Sequence, residues 1–182
     1  IPELIVLELA RFLYAGISSK HCEQIPWRMG ERFERGMFFE IQDKECSPAV
    51  IEWLAEQPQL AGLWSFVTDD VMADRLCIDH LAGVVRHAIK LGLSVEDAIY
   101  GATTSPAMRM DLRDRGKIAP GRLADFVVLD DLSSFHVKDV YRLGHLVCRE
   151  DSDNNVVRHD FPTNFLLSFN LYPFPNQILH HM

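Results

Sequence analysis

The sequence predicts an α/β fold in which parallel strands are joined by crossover helices and followed by a small β unit. Three observations predict it. Helical and β-type apolar patterns alternate from Glu3 to Val67. Within them the run Leu63-Trp64-Ser65-Phe66-Val67 ends at once in Thr68-Asp69-Asp70, the pattern of a buried strand that opens into a polar mouth. Beyond Gly116 the texture changes to short β runs between turn residues. Helix between strands implies parallel pairing, because parallel neighbours need a crossover where antiparallel ones need only a turn. The alternation amounts to half a (β/α)8 barrel at most.

Each element follows from local chemistry. From Glu3 to Gly16, Leu4, Leu7, Leu9, Phe12 and Leu13 recur at helical spacing, and Gly16 stands where a helix stops. Ile17-Ser18-Ser19 then leads into Lys20-His21-Cys22-Glu23 with no regular element indicated. A second helix is expected over Pro26 to Arg35, ended by Gly36, and Met37 to Gln42 reads as a strand. Ser47 can cap and Pro48 suits a first turn, so a helix is expected over Ala49 to Glu56. After Pro58 comes the strand that carries Asp69. Leu76 to Leu91 reads as one helix closed by Gly92, and Ser94-Val95-Glu96-Asp97 resembles a capping box opening another through Ala102. Ser105-Pro106 interrupts, and Pro106 to Leu112 resumes the helical pattern. Ala124 to Asp130, Val137 to Tyr141 and His145 to Cys148 read as short strands, with Leu143-Gly144 near a hairpin turn. Asp151 to Asn155 is a polar loop, and the tail to Met182 has no clear period and reads as coil.

Composition narrows the partners. At 182 residues and 48% hydrophobic the chain has the make-up of a globular protein. Its charge of −8, from 18 Lys and Arg against 26 Asp and Glu, argues against nucleic acid, whose binding needs clustered cations. Cys22, Cys46, Cys77 and Cys148 are widely spaced without Cys-x-x-Cys, which suggests neither a zinc ribbon nor a disulfide framework and makes the cytoplasm the expected location. No apolar stretch approaches the length of a membrane span, so no membrane partner is expected. The start Ile1-Pro2-Glu3, with neither Met nor a basic-then-apolar leader, leads to the expectation that the chain is part of something larger.

Catalytic side chains of parallel α/β folds sit at the carboxyl ends of strands, which makes Asp69 the first candidate. An acid after a strand can equally be a helix cap or a solvated turn residue, so the flanking blocks carry the weight. Asp114-Arg115-Gly116-Lys117-Ile118-Ala119-Pro120-Gly121-Arg122-Leu123-Ala124-Asp125-Phe126-Val127-Val128-Leu129-Asp130 resembles the segment by which metal-dependent amidohydrolases return from their barrel to a small β-sandwich. Thr68-Asp69-Asp70, then Asp79-His80, Val84 to Ile89 and Ala98 to Ala107, resembles the adenine deaminase-like branch of that superfamily at its eighth barrel strand and beyond. Gly16-Ile17-Ser18-Ser19-Lys20-His21 matches the turn that supplies a metal-binding His in the family, and Gly36-Met37 leads into the strand after it. The likeness runs from about Leu9 to about Val147. Two blocks depart from the family pattern. Ser-Asp-His-Glu is replaced by Ser19-Lys20-His21-Cys22, and Arg-Glu-Gly-Ser by Gln42-Asp43-Lys44-Glu45.

The resemblance implies the C-terminal part of a (β/α)8 metal-hydrolase barrel over residues 1–113, β-sandwich strands over 114–150, and a tail over 151–182. It implies hydrolytic deamination of adenine to hypoxanthine and ammonia in purine salvage. The cofactor implied is a divalent metal ion, Zn, Mn or Fe, which lowers the pKa of bound water toward about 7. His21 and Asp69 would be metal ligands, and Asp69 would also take a proton from water and hand it to the departing ammonia. Asp70 would position that base, support it from behind, or face solvent. His80 would contact the purine or a supporting carboxylate, or serve only at a helix start. Asp43 is either a stand-in acidic ligand or a solvated charge. His87, His136, His145, His159, His180 and His181 are expected at the surface or in packing, and Arg113, Asp114 and Arg115 as ion pairs at the junction of barrel and sandwich.

The His-x-His pair with which the family begins its metal site does not occur in this sequence. The chain is therefore expected to need the N-terminal half of the barrel, to be inactive on adenine alone, and to work as a homo-oligomer. Two other readings stay open. One is a related amidohydrolase acting on a cyclic amide or N-acyl substrate. The other is a non-catalytic truncated binding or oligomerisation module.

Overall fold

The computed structural model describes residues 2–21, 24–76 and 78–149, and the 151–182 tail lies outside them. The chain opens with α1 (Pro2–Tyr14), β1 (Ser19–Lys20), α2 (Pro26–Phe33) and β2 (Phe38–Ile41). A 3-10 turn (Asp43–Glu45), α3 (Pro48–Ala55), a second 3-10 turn (Pro58–Leu60) and β3 (Trp64–Phe66) follow. Then come α4 (Ala73–Leu76), α5 (Leu81–Lys90), α6 (Val95–Ala102) and α7 (Thr104–Arg109), and last β4 (Phe126–Asp131), β5 (His136–Arg142) and β6 (His145–Arg149).

β1, β2 and β3 form a parallel sheet in chain order, with Ser19 opposite Phe38, Phe39 opposite Trp64 and Ile41 opposite Phe66. The α/β expectation holds in this sheet. Helices cover it, and a strand covered on both faces reads as an unbroken apolar run; Trp64, Ser65 and Phe66 are accordingly all buried. Around it, Met29 and Phe33 of α2, Val50, Ile51 and Leu54 of α3, and Val84, Val85 and Ala88 of α5 close one core with Phe39 and Ile41. Phe33 packs on Phe39 with ring centroids 4.4 Å apart and on Trp53 at 5.7 Å. Each such pair contributes about 0.5–1.5 kcal/mol beyond its buried area, so these rings fix β2 against α2 and α3.

The caps read from sequence are present. Ser47 Oγ accepts from the Val50 N–H at 3.4 Å, and Ser94 Oγ accepts from the Asp97 N–H at 3.0 Å. Gly16, Gly36 and Gly92 follow their helices in the left-handed conformation, with φ of +89°, +77° and +106°.

Three local expectations are corrected. Ser19–Lys20, read as an irregular lead-in, is a short edge strand, because the Phe38 N–H donates to the Ser18 carbonyl at 2.8 Å and draws the segment onto β2. Of the single helix expected over Leu76 to Leu91, α5 covers Leu81–Lys90 and Leu76 instead ends α4, with Asp79 and His80 outside both. The Asp79 carboxylate stops it: Oδ1 accepts from the His80 N–H at 2.9 Å while Oδ2 takes the Arg86 guanidinium, a local alternative to the helical ladder. The resumed helix expected over Pro106 to Leu112 instead runs Thr104–Arg109, with Pro106 in its first turn, where a missing N–H costs nothing.

β4, β5 and β6 form a separate antiparallel meander in that order. Phe126 lies opposite Tyr141 and stacks on it, with centroids 4.6 Å apart. Arg142 pairs with His145 across a two-residue turn in which Leu143 and Gly144 have φ of +51° and +78°, as a tight hairpin with the strands' twist requires. Phe135, between β4 and β5, is buried in the core cluster, and its carbonyl accepts from Arg86 Nη1 of α5 at 3.3 Å. No helix among the described residues is long and apolar enough to cross a membrane.

Candidate functional site

The carboxyl ends of β1, β2 and β3 deliver three loops to one edge of the parallel sheet. His21 follows β1 directly, Gln42 follows β2, and Thr68-Asp69-Asp70 follows β3 after the Val67 N–H has extended the ladder to the Ile41 carbonyl at 3.0 Å. In-register pairing of neighbouring strands brings these positions together across a gap of 48 residues in sequence between His21 and Asp69.

Asp69 stands at φ +48°, a left-handed conformation that Asp tolerates better than most side chains. Its Oδ2 lies 4.0 Å from His21 Nε2. The link between them is Gln42, whose amide is buried and whose Nε2 donates both to Asp69 Oδ2 and to the His21 carbonyl, the latter at 3.2 Å. His21 and Asp69 themselves remain partly open, at 57% and 37% side-chain exposure, so an incoming group can reach both.

The residues after Gln42 repeat the device. Asp43 Oδ1 lies 2.8 Å from His87 Nδ1 of α5, and Lys44 Nζ lies 3.0 Å from Asp70 Oδ1. Gln42, Asp43 and Lys44 thus each hold a different partner on the segment that follows β3. The Lys44 ammonium, first by its hydrogen bond and then by its charge, holds the Asp70 carboxyl below its usual 3.8, and Asp70 in turn raises the Lys44 ammonium.

Beside this edge opens a cleft of about 770 Å³ whose lining includes Asp43, Asp70, His80 and His87. Of the residues expected at the site, Asp70 and His80 therefore face the cleft, whereas His21 lines a separate hollow of about 330 Å³ with Lys20 and Arg28. Two residues were not singled out from sequence. Gln42 appeared only as a departure from a family block, and His87 as a surface or packing residue. Arg113 and Arg115 pair with Asp111 and Asp114, two residues and one residue back in the chain, at 2.8 and 3.0 Å. These exposed local pairs do not tie the two sheets together; Arg86 on Phe135 does.

A first-row divalent ion bound at about 2.0–2.2 Å by an imidazole nitrogen and a carboxylate oxygen sets those donors about 3.3 Å apart in tetrahedral geometry. His21 and Asp69, at 4.0 Å, are within a small rotation of that span. They fit as two ligands of such a site. Among the described residues no three His, Cys, Asp or Glu side chains converge on one point.

Residues 59–153 match the model of the amidohydrolase family. The chain is similar to the adenine deaminase of Clostridium perfringens, 41% identical over 150 residues that make up 82% of this chain and 26% of that protein. It is similar to adenine deaminase 2 of Oenococcus oeni, at 42% over 79% of the chain and 25% of the relative, and to adenine deaminase 2 of Shouchella clausii, at 38% over 99% and 32%. The chain thus spans about a quarter to a third of the length of these curated relatives. Among solved structures its fold resembles N-acetylglucosamine-6-phosphate deacetylase from Thermotoga maritima, with TM-score 0.61, 17% identity, and coverage of 79% of this chain and 50% of that one. It also resembles an enamidase, with TM-score 0.62, 18% identity and coverage of 82% and 46%.

Proposed function

Because the chain belongs to the amidohydrolase family, we propose that it forms the C-terminal part of an adenine deaminase, converting adenine and water to hypoxanthine and ammonia. In this reading residues 1–113 complete a (β/α)8 barrel and residues 114–150 supply strands of a β-sandwich. The enzyme is a cytoplasmic homo-oligomer whose remaining metal ligands come from polypeptide outside these residues.

His21 Nε2 and Asp69 Oδ2 would hold a divalent ion, Zn, Mn or Fe. The ion supplies Lewis acidity, which makes water nucleophilic at neutral pH. With Oδ2 held by Gln42, Asp69 Oδ1 takes the proton that water gives up as its oxygen attacks C6 of the purine. The same oxygen then returns that proton to the exocyclic nitrogen, so that ammonia rather than an amide anion leaves when the C6–N bond breaks. Asp70, held by Lys44, keeps the loop of Asp69 in place. His80 contacts the purine from the cleft wall.

The single observation that supports this reading most is the 4.0 Å approach of Asp69 Oδ2 to His21 Nε2 at the ends of β3 and β1, across β2, in a chain 38–42% identical to adenine deaminases. The test is ammonia release from adenine, measured beside cleavage of a cyclic amide and an N-acyl amine, on the complete polypeptide with added Zn, Mn or Fe. Ammonia from adenine alone is expected. Cleavage of the amides with adenine untouched would transfer the site to a different amidohydrolase reaction.

A further inference from the structure

We propose that His87 is a substrate-binding residue of the cleft, positioned by Asp43, whose Nε2 accepts an N–H from the nitrogen heterocycle; the inference rests on the purine substrate proposed above. Three observations carry it.

The first is the geometry of the pair. Asp43 Oδ1 lies 2.8 Å from His87 Nδ1. An ionised carboxylate only accepts, so Nδ1 carries a ring proton, and in the neutral form of the imidazole Nε2 presents a lone pair. A carboxylate behind an imidazole fixes both tautomer and ring orientation. Among the described residues, no hydrogen bond engages Nε2 of His87.

The second is location. Asp43 and His87 both line the cleft of about 770 Å³, together with Asp70 and His80. That volume is within the roughly 300–1,000 Å³ of small-molecule sites. Of the charged groups on this wall, Lys44 is engaged with Asp70, and Arg86 with Asp79 and the Phe135 carbonyl, while Arg75 and Lys90 also line it. The second ring nitrogen of His87 is a polar atom open to a ligand on the same wall as His80.

The third is the chain linkage. Asp43 directly follows Gln42, whose amide holds Asp69. The acid that orients His87 and the amide that orients Asp69 are thus successive residues of one turn, and a displacement of that turn moves both. A heterocycle held at Nε2 of His87 is referenced to the same backbone as the proposed base.

The competing account is that Asp43 and His87 form only a helix-end ion pair, since His87 lies in the last turn of α5. That account predicts an effect of substitution on stability and none on binding. The experiment is a titration of the complete polypeptide, with the remainder of the barrel, with adenine, following imidazole nitrogens by two-dimensional NMR, with exposed His145 of β6 as the internal reference. Wild type should show one His87 tautomer, protonated at Nδ1, with adenine shifting Nε2 while His145 stays still. His87→Gln should weaken adenine about five- to tenfold, the share of one hydrogen bond, with little change in melting temperature. Asp43→Ala should lose the single-tautomer signature and weaken adenine to a similar degree. Adenine binding that leaves the His87 nitrogens unmoved would overturn this inference and leave the proposed function standing. Absence of any adenine binding would overturn both. The wild-type titration decides even where a variant fails to fold.

Discussion

Gln42 Nε2 donates to Asp69 Oδ2 and, with its second hydrogen, to the His21 carbonyl at 3.2 Å. Both candidate metal ligands therefore depend on one buried amide. Gln42→Leu keeps the volume and removes the donors, leaving a carboxylate oxygen and a carbonyl unsatisfied, at a cost of about 1–3 kcal/mol. Gln42→Glu should be worse at neutral pH, because it sets a second carboxylate against Asp69. It should recover on acidification, since a proton shared between the two acids restores a donor. Thermal unfolding of both variants at neutral and acidic pH checks the ordering and its reversal.

Asp69 occupies φ +48°, which separates its backbone role from its side-chain role. Asn tolerates this conformation and still offers an oxygen to Gln42, whereas Ala in it is strained by about 1–2 kcal/mol. Asp69→Asn should unfold within about 0.5 kcal/mol of wild type yet lose at least about 10²-fold in ammonia release from adenine, because the proton acceptor is gone. Asp69→Ala should lose both stability and activity. Chemical denaturation and initial rates on the complete polypeptide distinguish the two variants.

Much of this arrangement was legible in the residues. The end of β3 was visible because apolar residues give way at once to Thr68-Asp69-Asp70, and the caps at Ser47 and Ser94 because a hydroxyl just before a helical pattern has few other uses. His21 was reachable only through a family motif, since one imidazole after a two-residue strand leaves no periodic trace. Gln42 and His87 escaped for a different reason: their roles are defined by partners 27 and 44 residues away. Gln42 does show what a signal would have looked like. A polar side chain ending the run Phe38-Phe39-Glu40-Ile41 must either reach solvent or find a buried partner, and it stands where the family pattern carries another N–H donor, Arg. The break at Asp79 was hidden because an Asx-type hydrogen bond competes locally with a helix that the apolar spacing favoured.

Lys44 and Asp70 define a pH dependence. The Asp70 carboxyl is held below its usual 3.8 by the hydrogen bond and charge of Lys44. A lowered folded-state value means that this pair's contribution is fully present above 3.8 and fades as pH falls through the lower value. Lys44→Met should move the Asp70 titration up toward 3.8, read from carboxyl carbon shifts. Its effect on melting temperature should be small, diminish in high salt because the pair is exposed, and disappear at the acid end of the range.

Gly101 and Trp64 decide how firmly β3 is seated. A Cβ at position 101 of α6 would fall within contact of the six-membered ring of Trp64, and from α7 the buried Ser105 hydroxyl donates to the Trp64 carbonyl. Two helices thus grip the strand whose far end carries Asp69, one through ring packing and one through its backbone. Gly101→Ala should overpack this contact and cost about 1–3 kcal/mol. Trp64→Leu should cost more, by emptying the space the indole fills. If the clash is with the indole itself, the double variant Gly101→Ala, Trp64→Leu should be more stable than the sum of the single losses, because the added methyl occupies part of the vacated volume. A coupling of about 0.5 kcal/mol or more in a double-mutant cycle by denaturant unfolding carries the argument, and strict additivity would mean that the two residues do not meet.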